Sequence, residues 1–199
     1  MNSVYAARPA WVEINLDHIV HNISQFQGPD GRGPQIMAVV KADGYGHGAV
    51  MIARTALEAG ATSLAVAFVE EGIHLRRNGL DAPILLLGYT DPDQFTALID
   101  YKLTPTLFSY RTAEQFSAAA VSQGCRLPVH LKVDTGMGRV GLLPADAVEV
   151  ITAISKLPGL DLEGFFTHLA DAEDEDHGYT LKQLTLFEDI TGKLAAENI

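Results

Sequence analysis

Cysteine, basic residues and long apolar runs are all scarce in this chain of 199 residues, and each shortage excludes something. Cys125 is the only cysteine, so no disulfide can form within the chain, which favours a reducing, cytoplasmic compartment. Lys and Arg total 14 against 25 Asp and Glu, a formal net charge of −11. Such acidity argues against nucleic acid or an anionic membrane as a partner. A small anionic ligand is still allowed, because one cationic pocket can outweigh a diffuse negative field.

Signals for export, membrane insertion and metal binding are also missing. The first ten residues hold no apolar segment typical of a secretory signal. No apolar run approaches the ~20 residues that a membrane-spanning helix needs. The seven histidines show no metal-ligand spacing with cysteines or carboxylates, so no metal site is predicted. The 47% of hydrophobic residues is typical of an ordinary soluble domain with one sizeable core.

Strand-like and helix-like patterns alternate along the chain, which predicts an α/β fold with a parallel sheet and right-handed crossovers. Apolar, strand-like runs occur at 36–40, 62–68, 83–87, 103–107, 128–133 and 160–165. Helical patterns occur at 47–59, 70–78, 92–100, 112–123, 144–155 and 179–197. Gly60, Gly79 and Gly124 each follow a helical run, as helix-ending glycines do. Thr112 with Gln115 predicts a capping box at the start of one helix.

Two parallel architectures fit this alternation, and periodicity does not separate them. An open doubly wound sheet would be complete with six strand–helix units. A (β/α)8 barrel of the TIM type needs eight units and typically ~250 residues. The barrel interpretation therefore predicts that these residues form only about its first six units, and that the natural chain is longer.

The segment 36–48, IMAVVKADGYGHG, combines an apolar strand, a lysine and three glycines. Lys41 lies at the carboxyl end of the predicted strand, where α/β folds place their chemistry. Apolar surroundings disfavour the charged form of an amine, and a neutral amine condenses with an aldehyde. Gly44, Gly46 and Gly48 predict positive φ angles and N–H groups turned toward an anion at the next helix N-terminus. An aldehyde-reactive lysine beside such an anion site fits pyridoxal phosphate (PLP).

Simpler interpretations of this segment agree less well with its spacing. A nucleotide-binding P-loop has its lysine after the glycines, whereas Lys41 precedes all three. Gly-x-Gly-x-Gly is also not the dinucleotide fingerprint Gly-x-Gly-x-x-Gly. An exposed lysine before a plain turn would not require three alternating glycines.

Residues 39–48, VVKADGYGHG, resemble the PLP-lysine signature of the alanine racemases. Residues 11–16, 131–141 and 166–170 are similar to other segments of that family, in the family's order. The resemblance implies an isomerase that interconverts L-alanine and D-alanine through a Schiff base on Lys41 and abstraction of the α-proton. It also implies a role in supplying D-alanine for the cell wall. Residues 1–199 would then be an incomplete N-terminal PLP-binding barrel domain, with the family's C-terminal β-domain absent from them.

The same resemblance implies roles for particular side chains. Lys41 would bind the cofactor and act as one of two acid–base groups, with Val39 beside the cofactor and Tyr45 hydrogen-bonded to its phosphate. Arg139, whose planar fork suits a carboxylate or phenolate, would contact the substrate carboxylate and the cofactor's phenolic oxygen. His168 would lie on the cofactor side. An arginine of this kind more often forms a surface ion pair, but the flanking glycines and the position after a strand favour a ligand contact for Arg139; His168 could be a structural histidine.

Lys132 poses a burial problem of its own. It alternates with Leu131 and Val133 in a predicted buried strand, where an unpaired ammonium is costly. The residue needs an acidic partner, a chemical change that removes its charge, or a path for its amine to the barrel rim. The resemblance implies the second of these, a carbamylated lysine whose negative charge orients Arg139.

The resemblance further implies a homodimer that acts on a small amino-acid substrate. The second base would be a tyrosine from the partner's C-terminal domain, so no residue of this chain is assigned to that role. Three functions stay open: an alanine racemase, a serine-preferring racemase of the vancomycin-resistance type, and a non-catalytic protein that maintains PLP levels. Proteins of the third kind are comparably short but lack the Gly-Tyr-Gly-His-Gly sequence after their lysine. Decarboxylases on the same barrel lack it too.

Overall fold

Six parallel strands in sequence order form the sheet of the computed structural model, which describes residues 11–28 and 33–199. The strands are β1 (Met37–Val39), β2 (Ser63–Val66), β3 (Ile84–Leu86), β4 (Leu103–Leu107), β5 (Leu127–Lys132) and β6 (Leu160–Phe166). Each pairs with the next along the chain. A doubly wound sheet would reverse its strand order at a switch point. The unbroken order therefore identifies six consecutive units of an α/β TIM-type barrel, as the resemblance favoured.

The connections between strands are helical. The helices are α1 (Leu16–Ser24), α2 (Lys41–Tyr45), α3 (Ala49–Glu58), α4 (Val69–Arg77), the 3-10 helix η1 (Pro92–Gln94), α5 (Phe95–Asp100), α6 (Tyr110–Ser122), α7 (Pro144–Ser155) and α8 (Gly178–Ala196). All six predicted strands and all six predicted helices are confirmed, with shifts of at most two residues at their ends. Within the described residues, no helix has the length and apolarity needed to cross a bilayer.

The predicted start of one helix is wrong, whereas the predicted helix ends are confirmed. Helix α6 begins at Tyr110 with Ser109 at its N-cap position. Thr112 therefore lies inside the first turn, and the capping box with Gln115 does not exist, because Ser109 takes the N-cap position three residues earlier. Gly60, Gly79 and Gly124 all follow their helices with positive φ angles of 110°, 77° and 66°.

The core lies between the sheet and the surrounding helices. Strands β2 and β3 are buried along almost their whole length, as expected when both faces of a parallel sheet are covered. Small residues of α3, such as Ala53 and Ala56, are buried where that helix faces the sheet, and Ile151 and Ile154 of α7 are also fully buried. This packing makes the strands a rigid base, and functional groups at their carboxyl ends inherit fixed positions.

Candidate active site

A cavity of about 620 Å³ opens at the carboxyl ends of the strands. Its lining includes residues that end or directly follow β1, β2, β3, β5 and β6. All six site residues predicted from the sequence line it, although they are far apart along the chain: Val39, Lys41, Tyr45, Lys132, Arg139 and His168. The barrel therefore brings the whole predicted set to one place.

The turn that follows Lys41 is strained. In α2, Ala42, Asp43 and Tyr45 have φ angles of 52°, 54° and 56°, so three residues with side chains adopt the left-handed conformation beside Gly44. That conformation costs roughly 1–2 kcal/mol for each residue other than glycine. The turn brings the Tyr45 ring toward the lysine, with Lys41 Nζ 5.8 Å from the ring centroid. Strain of this kind typically clusters at functional sites, where surrounding contacts hold it in place.

The three glycines adopt the predicted positive φ angles, but the predicted anion site is wrong. Gly44, Gly46 and Gly48 donate their N–H groups to nearby backbone carbonyls, at 2.8–3.1 Å. One N–H group at the N-terminus of α3 is also used internally, because Asp43 Oδ1 accepts that of Ala49 at 2.8 Å. The glycines thus allow the left-handed turn, and their own N–H groups are not available to bind a phosphate.

Glu71 holds this turn from a neighbouring element and was not anticipated from the sequence. Its Oε1 atom accepts the N–H of Ala42 at 2.6 Å, and its Oε2 atom accepts those of Ala67 at 2.6 Å and Phe68 at 3.1 Å. The bond to Phe68 is half of a capping box at the start of α4. The usual signal was hidden because Phe68 is not a Ser, Thr or Asp.

Arg139 reaches the cavity from a loop organised by one carboxylate. Asp134 accepts the N–H groups of Gly136 and Gly138 at 3.0 Å and that of Arg139 at 2.9 Å. Burial alone would raise the pKa of Asp134, but these backbone donors, with that of Met137, hold it below its ordinary value. In the described part of the chain, the Arg139 side chain forms no ion pair. Its orientation toward the cavity favours the ligand-contact interpretation over the surface ion pair.

Lys132 is buried, with 4% of its surface exposed, and it lines the cavity. Its Nζ atom lies 5.7 Å from the centroid of the Phe166 ring. No carboxylate of the described residues forms a salt bridge with it. Burial lowers the pKa of Lys132, and the charges of Arg139 and Lys41 lower it further against the opposing effect of Asp134. Lys132 is thus buried as predicted, and among residues 11–28 and 33–199 no carboxylate forms an ion pair with it.

His168 follows β6 by two residues and faces the same cations. Partial burial lowers the pKa of His168, and the charges of Arg139, Lys132 and Lys41 lower it further. Three basic residues therefore surround one cavity of an otherwise acidic protein. This local excess suits a ligand that carries carboxylate or phosphate groups, as the composition had left open.

Gln183 of α8 links the loops that carry Arg139 and His168. It is 1% exposed, its Nε2 atom donates to Thr135 Oγ1 at 3.2 Å and to the carbonyl of His168 at 3.0 Å, and its Oε1 atom accepts the N–H of Ala170 at 2.8 Å. A glutamine within a long helix gives no sequence signal for this role. It fixes the strand ends of β5 and β6 relative to each other.

Asp134→Asn should loosen the Arg139 loop, because the amide nitrogen of asparagine cannot accept the Arg139 N–H. We expect a Tm lower by about 2–4 °C at pH 7, the effect of losing roughly 1 kcal/mol in a domain of this size. The pKa of Asp134 is lowered on folding. The carboxylate therefore adds to the free energy of unfolding above the ordinary aspartate pKa, and this contribution is lost as the pH falls through the lowered pKa. Thermal unfolding between pH 3 and pH 7 should therefore show the two proteins converging in acid. A constant difference across that range would contradict this account.

Comparison with known proteins gives consistent matches. The sequence model described as "Alanine racemase, N-terminal domain" matches residues 14–199. An alanine racemase of Desulforamulus reducens is 50% identical over 192 residues, which cover 96% of this chain and 52% of that protein. The alanine racemase structure from Clostridium difficile 630 matches with a TM-score of 0.86 at 40% identity, covering 93% of this chain and 48% of that one. A histidine racemase from Leuconostoc mesenteroides subsp. sake matches with a TM-score of 0.80 at 29% identity, covering 87% and 46%. The chain spans about half the length of these relatives.

Proposed function

Because this chain belongs to the alanine racemase family, we propose that its protein is a PLP-dependent amino-acid racemase that interconverts L-alanine and D-alanine. The observation that carries the proposal is the convergence of Lys41, Lys132, Arg139 and His168 on one cavity. This chemistry requires an amine that can form a Schiff base and a group that can bind a carboxylate, and Lys41 and Arg139 supply candidates for both in one cavity.

The cavity fits PLP in size and in character. Its volume of about 620 Å³ lies within the roughly 300–1,000 Å³ of small-molecule sites. Apolar side chains such as Ala65 and Leu85 form a wall suited to a flat ring, and the surrounding cations suit the anionic groups. Lys41 would hold the cofactor covalently, Tyr45 would hydrogen-bond its phosphate, Arg139 would contact its phenolic oxygen, and Val39 would pack beside it. When bound, the cofactor supplies an electron sink that acidifies the proton on the substrate Cα.

The chain's own residues would then position the substrate and move that proton. Arg139 presents two parallel N–H donors, which suit the substrate carboxylate. The Lys41 amine, held close to Cα, would remove the proton on one face and, once it is protonated, could return a proton to that face. His168 would border the cofactor as a neutral imidazole, consistent with the lowered pKa that burial and the neighbouring cations produce. Racemisation also needs a group on the opposite face, which we assign to a tyrosine of a partner subunit's C-terminal domain.

We propose that the complete protein adds the remaining barrel units and a C-terminal β-domain, and that it forms a homodimer in the cytoplasm. Support comes from the relatives, which are about twice as long. Among the described strands, β1 and β6 each have a strand partner on one side only. Further strands between them would close the barrel. D-alanine made by such an enzyme would be available for cell-wall synthesis.

The direct test of this function is chemical labelling of the full-length protein. PLP is added, the visible absorbance of the bound cofactor is recorded, and borohydride then reduces the covalent link before peptide mapping. We expect the label on Lys41 and turnover of L-alanine to D-alanine. A label on any other lysine, or no racemisation of alanine, would contradict the proposal.

Substrate preference needs a separate comparison, because a histidine racemase shares this fold and a serine-preferring racemase is an alternative from the sequence. Rates with L-alanine, L-serine and L-histidine, measured on the same preparation, distinguish the three. We expect alanine to be preferred. Covalent PLP binding without turnover of any of them would instead support the non-catalytic alternative.

We further propose that Lys132 is carbamylated. Its lowered pKa favours a neutral amine, which can add to carbon dioxide, forming an N–C bond and releasing a proton. The product is an anion, and it would relieve the unpaired burial of Lys132 and attract Arg139. We expect labelled bicarbonate to add the mass of one carbon dioxide under non-denaturing conditions, and mild acid to remove it. The Lys132→Met variant should take up no label at this site, and an unmodified Lys132 in bicarbonate would contradict the proposal.

A further inference from the structure

We propose that Glu71 is a positioning residue for the reaction of Lys41, acting through the backbone of the left-handed turn. This inference rests on the proposed function, because it assigns a purpose to the placement of the Lys41 amine. Glu71 lies in α4 and is separated from the turn by 29 positions in sequence. It nevertheless contacts the residue directly after Lys41, which is Ala42.

The carboxylate of Glu71 uses both oxygens to join two strand ends. Oε1 accepts the N–H of Ala42, which follows the end of β1, and Oε2 accepts the N–H groups of Ala67 and Phe68, which follow the end of β2. All three bonds go from backbone N–H groups to a carboxylate, which is among the stronger classes of protein hydrogen bond. One side chain therefore fixes the Lys41 turn relative to the neighbouring strand.

The turn needs such a tether because it is locally unfavourable. Ala42 and Asp43 both adopt the left-handed conformation, which side chains disfavour. At its far end, the turn is held by Asp43, whose carboxylate caps α3 through Ala49. At its near end, next to Lys41, Glu71 supplies the corresponding carboxylate. Two carboxylates thus hold the turn through hydrogen bonds. The one from Glu71 binds the N–H of the residue next to Lys41.

Loss of the hydrogen bond between Glu71 and Ala42 should affect catalysis more than stability. The Lys41 amine must stay within reach of one atom, and a displacement of about 1 Å can cost on the order of a hundredfold in rate. Arg139 determines substrate binding from a different loop, which Glu71 does not contact. Removing the tether should therefore lower kcat and leave KM nearly unchanged.

The test compares Glu71→Gln with Glu70→Gln in the full-length protein loaded with PLP. Glutamine has the same length, but it has one acceptor oxygen, and its amide nitrogen would face an N–H donor. Glu70 is the adjacent carboxylate on the same helix and is exposed, so its variant controls for the loss of one negative charge. For Glu71→Gln we expect kcat to fall about 10- to 100-fold, with KM within about twofold. The Glu70→Gln variant should keep wild-type constants.

Two further measurements separate positioning from general destabilisation. The circular dichroism of the bound cofactor in the visible range should weaken in Glu71→Gln, because it reports the orientation of the group held by Lys41. Hydrogen exchange of the Ala42 amide should accelerate more than that of buried strand amides. If Glu71→Gln does not fold, the same measurements on Glu71→Asp, which keeps the charge but is one methylene shorter, decide the question.

The outcomes distinguish this inference from the proposed function. If borohydride does not label Lys41 in the unsubstituted protein, the proposed function fails. If Lys41 is labelled but the Glu71 variants match Glu70→Gln in kcat, in circular dichroism and in Ala42 exchange, only the inference about Glu71 fails. A rise in KM with unchanged kcat would also overturn it, since that pattern indicates lost substrate binding.

Discussion

Replacing Lys41 by arginine should abolish racemisation in the full-length protein, with turnover lower by about a thousandfold or more. Arginine stays protonated in proteins, so it can neither attack an aldehyde nor accept a proton from Cα. The substitution keeps the positive charge beside Lys132 and Arg139, and it therefore tests the chemistry of the amine more than the electrostatics of the cavity. Turnover of L-alanine and the visible absorbance of bound cofactor are the measurements.

The matched control for this substitution is Lys182→Arg. Lys182 is an exposed lysine of α8 outside the cavity, so its replacement should change neither the absorbance nor the rate. Retention of racemase activity in Lys41→Arg would remove Lys41 from the reaction. Loss of activity in both variants would show that turnover responds to lysine replacement in general.

Strand and helix positions were predictable because the signals for them are local. The run at 36–40 is apolar and ends in a lysine and glycines, and the structure places β1 at Met37–Val39 with Lys41 just beyond it. No local sequence signal distinguishes an open sheet from a barrel. It depends on which strand pairs with which, and the consecutive pairing from β1 to β6 settles it.

The contacts that support the site were harder to predict, because they join residues far apart in sequence. Glu71 binds Ala42 across 29 positions, and Gln183 binds Thr135 across 48. The neighbouring residues in the sequence do not distinguish Glu71 or Gln183 from an ordinary helix residue. In the glycine turn, the positive φ angles were predicted correctly, but the acceptors of the N–H groups were not. A left-handed turn uses these N–H groups in its own backbone hydrogen bonds.

Basic residues lie close together at the cavity although the chain is acidic. The chain has a net charge of −11, yet Lys41, Lys132 and Arg139 converge on one cavity. Their mutual repulsion is part of what lowers the pKa of Lys132. Binding of an anionic ligand would offset that repulsion, so the unliganded site should be less stable than the liganded one. The same repulsion makes a neutral or carbamylated Lys132 favourable beside Arg139.

Replacing Arg139 by lysine should slow turnover of alanine by roughly 10- to 150-fold, the loss expected when a charged hydrogen bond of about 1.5–3 kcal/mol is removed. Lysine keeps the charge but lacks the planar fork, so it cannot bind a carboxylate through two parallel N–H groups. The backbone N–H of position 139 still reaches Asp134, and the loop should keep its conformation. Values of kcat and KM for L-alanine in the full-length protein measure the effect.

The control for Arg139→Lys is Arg111→Lys, an exposed arginine of α6 outside the cavity, for which unchanged constants are expected. If KM rises while kcat is maintained, Arg139 binds the substrate carboxylate equally in the ground state and the transition state. If kcat falls as well, the fork also stabilises charge that develops during proton transfer. Kinetics identical to the unsubstituted protein would remove Arg139 from the site, and the proposed role of Lys132 in orienting it would fail too.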